Sequence, residues 1–223
     1  MSKLDSGPAW ARPTRTEHRW PAAVAIAIAI GLQLLLPADL VPPARYVLPG
    51  LELALLLGLV AVNPFRLNRE SAMLRWVSLV LTGLVALANA WSTVLLVIDL
   101  LTGRFDSASQ LLGAGGAVWL TNVVAFALIY WELDRGGPPA RASGVDDWPD
   151  FMFPQMATPQ LADPGWEPVF FDYFYLSFTN VTAFSPTDVM PLTRWAKATM
   201  MVQAAVSLVL VVLVVARAVN ILA

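Results

Sequence analysis

The chain contains no cysteine, which removes disulfides, thiolate catalysis and thiolate metal ligation. Its one histidine, His18, sits in a polar N-terminal tail, so neither a histidine-based metal site nor a catalytic triad fits. No phosphate loop or nucleophile elbow is present, and no metal, cofactor or enzymatic activity is expected. Charge is scarce too. Charged residues make up 13% of the chain against 57% hydrophobic ones, whereas a soluble domain carries about 25% charged residues. A net charge of −2 supplies no basic stripe, which excludes a nucleic-acid partner.

What the chain has instead is long apolar runs. A bilayer-spanning helix needs roughly 20 apolar residues, with every backbone polar group satisfied inside it. Five runs are read as spans: Pro21 to Leu40, Tyr46 to Val62, Ser71 to Leu101, Ser109 to Trp131 and Pro191 to Leu222. The third would be ~45 Å long as one helix, enough to cross tilted and too short to cross twice. The fourth opens with Gly113, Gly115 and Gly116, small residues that allow close helix approach. Residues 1–20 are polar and basic and lack a small-residue cleavage site, so the first helix is expected to be retained. The expected fold is an all-α integral membrane protein: the tail, three helices over 21–107, then a module over 108–223.

One connection is long. Residues 133–167 hold charges beside the aromatic stretch Trp148-Pro-Asp-Phe-Met-Phe153, too apolar for a disordered linker, so an ordered flap is expected. Residues 168–182 (PVFFDYFYLSFTNVT) form an apolar segment too short to span, read as re-entrant or interfacial.

Residues 169–197, VFFDYFYLSFTNVTAFSPTDVMPLTRWAK, resemble the pore loop of the potassium-channel superfamily. That family joins an outer helix, a turret, a short aromatic pore helix, a T-x-G-Y-G-D filter and an inner helix. Aligned without gaps, Ser177-Phe178 falls at the pore-helix end, Thr182 just before the filter, Asp188 on its closing acid and Pro191 at the inner-helix start. The resemblance makes 133–167 the turret, 168–190 the pore helix and loop, and 191–222 the inner helix. Ala183 and Pro186 replace the filter threonine and tyrosine, Ser185 and Thr187 replace its glycines, and Phe184 lies between. A potassium filter aims backbone carbonyls inward through glycines at positive φ, which Ser and Thr adopt only at a cost and Pro does not adopt. The resemblance therefore implies the frame without potassium selectivity. The last 115 or so residues are also similar to a bacterial membrane-protein family of unknown function, whose degenerate pore loop precedes a last helix ending Ala-Val-Asn-Ile/Leu, here Ala218-Val-Asn220-Ile.

Thr199, Gln203 and Ser207 share one face of the last helix, and Val214 continues it. That face either lines a pore or hydrogen-bonds a neighbouring helix, and with the pore-loop frame the lining is expected. Asp188 is the candidate ion-facing carboxylate, or else a cap for the turn into the inner helix; Arg194 and Lys197 lie near enough to offset it. Arg217 is read as snorkelling to headgroups. Glu52 and Asp99 would make a proton or cation site, the expected alternative being ion pairs with Arg45 and Arg104.

Lys3, Arg12, Arg15 and Arg19 in the tail, with Arg66, Arg69 and Arg75 after the second run, place the N-terminus in the cytoplasm by the positive-inside rule. Five spans then put the pore loop on that same side, opposite to potassium channels. Either the loop is inverted or one early proline-rich segment does not span, and the side of the loop stays open. The function expected is passive permeation of monovalent ions through a homotetramer in a bacterial inner membrane, in contact with membrane lipids. The alternatives are a non-conducting scaffold that binds lipid or another membrane protein, and a proton-coupled transporter resting on Glu52 and Asp99.

Overall fold

The computed structural model describes residues 8–14, 17–42, 45–62, 72–105, 107–144, 148–182 and 188–222. Its elements are helices α1 (Trp20–Leu35), α2 (Val47–Val62), α3 (Ala72–Thr102), α4 (Ala108–Leu133) and α5 (Pro138–Ser143), strand β1 (Phe151–Met152), helices α6 (Pro154–Ala157) and α7 (Phe170–Thr182), strand β2 (Met190–Pro191) and helix α8 (Arg194–Leu222). The strands form one antiparallel pair, Phe151 opposite Pro191 and Met152 opposite Met190. The fold is otherwise helical, as expected.

Three stretches are long and apolar enough to cross a membrane: Met73–Thr102, Ala108–Ser143 and Arg194–Leu222. The first two expected spans come out shorter. Helices α1 and α2 have 16 residues each, or about 24 Å against a hydrocarbon core of about 30 Å. Proline sets the limits of α1. Pro21 occupies the first turn of α1, and Leu36 turns to extended backbone (φ −63°, ψ 147°) because Pro37 disfavours a helical residue before it.

Helix α4 is the centre of the bundle and packs against α1, α3, α7 and α8, while α2 packs against α1 and α3. Ser107 caps its start, accepting from the Gln110 amide at 3.5 Å. Its far end breaks where Arg135 takes a left-handed conformation (φ 49°) before Gly136 (φ 76°) and Gly137 (φ 94°). A side chain on Gly137 would lie 2.9 Å from the Glu132 carbonyl, so glycine is required there for both conformation and space.

Close approach of α4 to α8 depends on Gly115. A Cβ there would lie 2.9 Å from Val214 Cγ2 and 3.0 Å from its Cγ1. Gly115→Val should therefore destabilise the protein by about 1–3 kcal/mol through overpacking. Thermal unfolding in detergent should show Val214→Ala recovering most of that loss in the double variant. Loss without recovery would place the strain elsewhere.

The segment after α4 is ordered where it is described, and it folds back onto the protein. Phe151 is buried with its ring 5.2 Å from Tyr130, 6.4 Å from Tyr173 and 5.6 Å from Trp195. The tail joins the same end of the bundle: the Thr14 amide donates to Ala142 O at 2.9 Å, and Arg135 donates to Trp10 O while its guanidinium lies over the Trp10 ring.

Candidate functional site

Helix α7 is held between α4 and α8. Its buried residues Phe170, Tyr173, Leu176, Ser177 and Val181 follow the i, i+3, i+4, i+7 spacing of one helical face. The first-turn amides of a helix need outside acceptors. The Phe170 amide donates to Glu17 Oε2 at 2.9 Å and the Val169 amide to Asp172 Oδ2 at 2.8 Å, and both carboxylates also suit the positive end of the helix dipole.

Glu17 belongs to a buried polar cluster that ties the tail to the module. Its Oε1 accepts from Trp131 Nε1 and from Arg141 Nη2, the latter at 3.4 Å. Arg141 Nη1 donates to Trp131 O at 2.6 Å and Asp134 O at 2.9 Å, and the guanidinium lies 5.0 Å from the Tyr173 ring centre. Tyr173 donates to Asp134, whose other oxygen accepts from the Asp150 amide at 2.9 Å. Asp150 in turn accepts from Trp195 Nε1 at 2.8 Å. Burial raises the Glu17 pKa above its ordinary value, opposed by the charge of Arg141.

Deeper in the bundle, Gln203 joins three helices. Its Oε1 accepts from Tyr130 of α4 at 2.7 Å and from Asn180 of α7 at 2.8 Å. Its Nε2 donates to Ser177 Oγ at 2.6 Å and Ser177 O at 3.3 Å, and Ser177 Oγ donates to Val123 O at 2.7 Å. An amide side chain has two lone pairs and two N–H donors; here all four are engaged and the residue is fully buried.

The face expected to line a pore, Thr199, Gln203, Ser207 and Val214, is placed as follows. Gln203, Ser207 and Val214 are all buried within the chain: Gln203 in the knot just described, Val214 against Gly115. Thr199 is half-buried and returns its hydroxyl to Trp195 O at 3.0 Å and Ala196 O at 3.1 Å. Gln203 hydrogen-bonds two neighbouring helices, whereas the buried Ser207 Oγ has no hydrogen-bond partner among the described residues. Thr182 and Asp188 are exposed, and Thr182 donates to Phe178 O at 2.9 Å. Ala183, Phe184, Ser185, Pro186 and Thr187 lie outside the described residues.

The paired acids also divide. Asp99 pairs with Arg104 at 3.0 Å as expected. Glu52 does not pair with Arg45, whose Nη2 donates to Leu34 O at 2.6 Å; Glu52 accepts from Gln33 Nε2 at 3.1 Å instead. Arg217 donates to Gly103 O at 3.2 Å and Phe105 O at 3.1 Å, so it caps the α3–α4 turn. Among the described residues no group of three or more His, Asp or Glu side chains could hold a metal ion.

Sequence reasoning misses Tyr130, Asn180, Glu17 and Arg141. The first two carry a weak signal, polar atoms within apolar helices. Glu17 and Arg141 carry none, since their partners are remote in sequence. The chain matches no protein-family model, no curated protein and no solved structure.

Proposed function

We propose that the chain crosses the membrane five times, α1 and α2 included, and that α4, α7 and α8 form a pore-type module acting as a closed, non-conducting scaffold. In this reading α4 is the outer helix, α7 re-enters the bilayer and α8 is the inner helix. The observation that carries it is the burial of Gln203. A polar side chain serving a water-filled path keeps hydrogen-bonding capacity free for water, whereas this amide has none left. The exposed residues of α8 include Met201, Val202, Leu208, Val209, Val212, Val215 and Val219, which suit lipid, another membrane protein or a second copy and offer an ion nothing to replace its hydration shell.

The test is reconstitution of the purified protein into planar bilayers under potassium and sodium gradients. Electrical silence is expected. Unitary currents whose reversal potential follows an ion gradient would overturn the scaffold.

A second reading, passive permeation through a homotetramer without potassium selectivity, is favoured by the layout around α7. Phe170 packs against Trp131 at 5.7 Å and Pro191 pairs with Phe151, so the chain enters and leaves at the same end of α4. The exposed Thr182 and Asp188 flank the loop between, where Ser185, Pro186 and Thr187 stand in place of Gly-Tyr-Gly. Currents carried equally by potassium and sodium would establish this reading.

A further inference from the structure

Glu52 occupies a core position. The buried face of α2 is Pro49, Glu52, Leu56 and Leu59, a helical stripe in which leucine would be the ordinary occupant. On the opposing helix the buried residues are Ala22, Ala25, Ile26, Ala29, Ile30 and Gln33. Glu52 is fully buried. Its Oε2 accepts from Gln33 Nε2 at 3.1 Å, and its Oε1 is buried with no hydrogen-bond partner among the described residues.

The charged groups on the surrounding elements are engaged elsewhere or distant. On α1's side, Arg19 precedes the opposite end of the helix from Gln33. On α3, Arg75 lies in the first turn and donates to Gly136 O, and Asp99 is paired with Arg104. Arg45, in the turn before α2, donates to Leu34 O. An ionised Glu52 would thus be a buried charge without a counter-charge, which costs far more than burying the neutral acid. One carboxyl and one amide are also too few oxygens for a hard cation such as calcium, which takes about 6–8.

We infer that Glu52 is a proton-binding site inside the helix bundle, a carboxyl that carries its proton between α1 and α2 and reacts with hydrophobic carbodiimides. The inference does not depend on whether the α4–α7–α8 module conducts. Ionisable residues at such depth ordinarily serve proton or ion handling. Of the other buried acids, Glu17, Asp134 and Glu132 lie near Arg141 and Asp99 pairs with Arg104, positive charges that make them poor targets for the same reagent.

The chemistry of the probe follows from the proton. The carboxyl hydrogen passes to a carbodiimide nitrogen while the carboxyl oxygen bonds the central carbon, giving an O-acylisourea. The acyl group then migrates to nitrogen as a stable N-acylurea; nothing leaves and no electrons are transferred. The full-length protein in nanodiscs is treated with dicyclohexylcarbodiimide between about pH 6 and about pH 9, above the ordinary glutamate range, and the adduct is mapped by peptide mass spectrometry. A single adduct on Glu52 that falls several-fold as pH rises is expected. Glu52→Gln, which keeps an acceptor for Gln33, should lose the adduct and unfold within a few degrees of wild type. An infrared difference spectrum, wild type minus Glu52→Gln, should contain the carbonyl band of a protonated acid, a readout that needs no reagent access. A carboxylate band in that spectrum, or labelling on Glu17, Asp99, Glu132 or Asp134 in preference to Glu52, overturns the inference.

Discussion

Arg141→Met should lower the stability of the protein by about 3–5 kcal/mol, the loss typical when one partner of a buried ion pair is removed. The variant deletes the donors to Trp131 O and Asp134 O and the pair with Glu17, and leaves the buried Glu17 and Asp134 without the cation between them. The pH dependence has a definite sign. The folded-state pKa of Glu17 already lies above its ordinary value because of burial, and Arg141 opposes that rise; without Arg141 it rises further. A carboxyl with a raised folded pKa favours the folded state fully at pH below the unfolded value, and that contribution disappears as pH rises through the folded one. The deficit of Arg141→Met should therefore be largest near neutral pH and shrink as pH falls toward the ordinary glutamate range. Adding Glu17→Gln should recover part of it near neutral pH. Melting curves in detergent over that range check all three statements, and a pH-independent deficit would mean that only packing was lost.

Gln203→Leu should cost about 2 kcal/mol, taking ~0.6 kcal/mol for each of the four hydrogen bonds that end on this side chain inside a membrane bundle. Tyr130, Asn180 and Ser177 would each lose a partner, so the loss should exceed that of a variant at an exposed position of the same helix, such as Lys197→Ala. A second measurement separates packing from pore lining. In a chain without cysteine, Gln203→Cys offers the only thiol, and a water-soluble maleimide should leave it unlabelled in the folded protein. Rapid labelling would return this face to a water-filled path and defeat the scaffold.

The elements that cross from sequence to structure with little change are those fixed by local chemistry. Helix α3, read over Ser71–Leu101, spans Ala72–Thr102; the apolar segment 168–182 is the helix Phe170–Thr182. Apolar run length and proline placement suffice there. What a helical face meets is a different kind of information. A four-residue polar spacing on α8 looks the same whether the side chains meet water on an axis or polar groups on the next helix, and the partners of Gln203 come from the packing of α7 between α4 and α8. Glu52 shows the same limit. Its proximity in sequence to Arg45 suggests an ion pair, but the periodicity of α2 turns the carboxyl to α1 while Arg45 is held by a carbonyl near the end of that helix. The Glu17–Arg141–Asp134 cluster is illegible in the sequence because it joins segments whose separation no local pattern records.

The cap that Glu17 places on the start of α7 joins residues 153 positions apart. At about 5–20 residues per second of synthesis, the carboxylate leaves the ribosome roughly 8–30 s before the amide it will bind. Late in that interval, once Leu133 has emerged, α4 can be inserted with its charged end unmatched, and only the arrival of α7 completes the set. Assembly of this end of the bundle is consequently a late event in biogenesis. An arrested or truncated chain that stops short of Phe170 should carry an uncovered charge cluster at the membrane surface, a feature by which a membrane protease can tell an unfinished copy from a finished one.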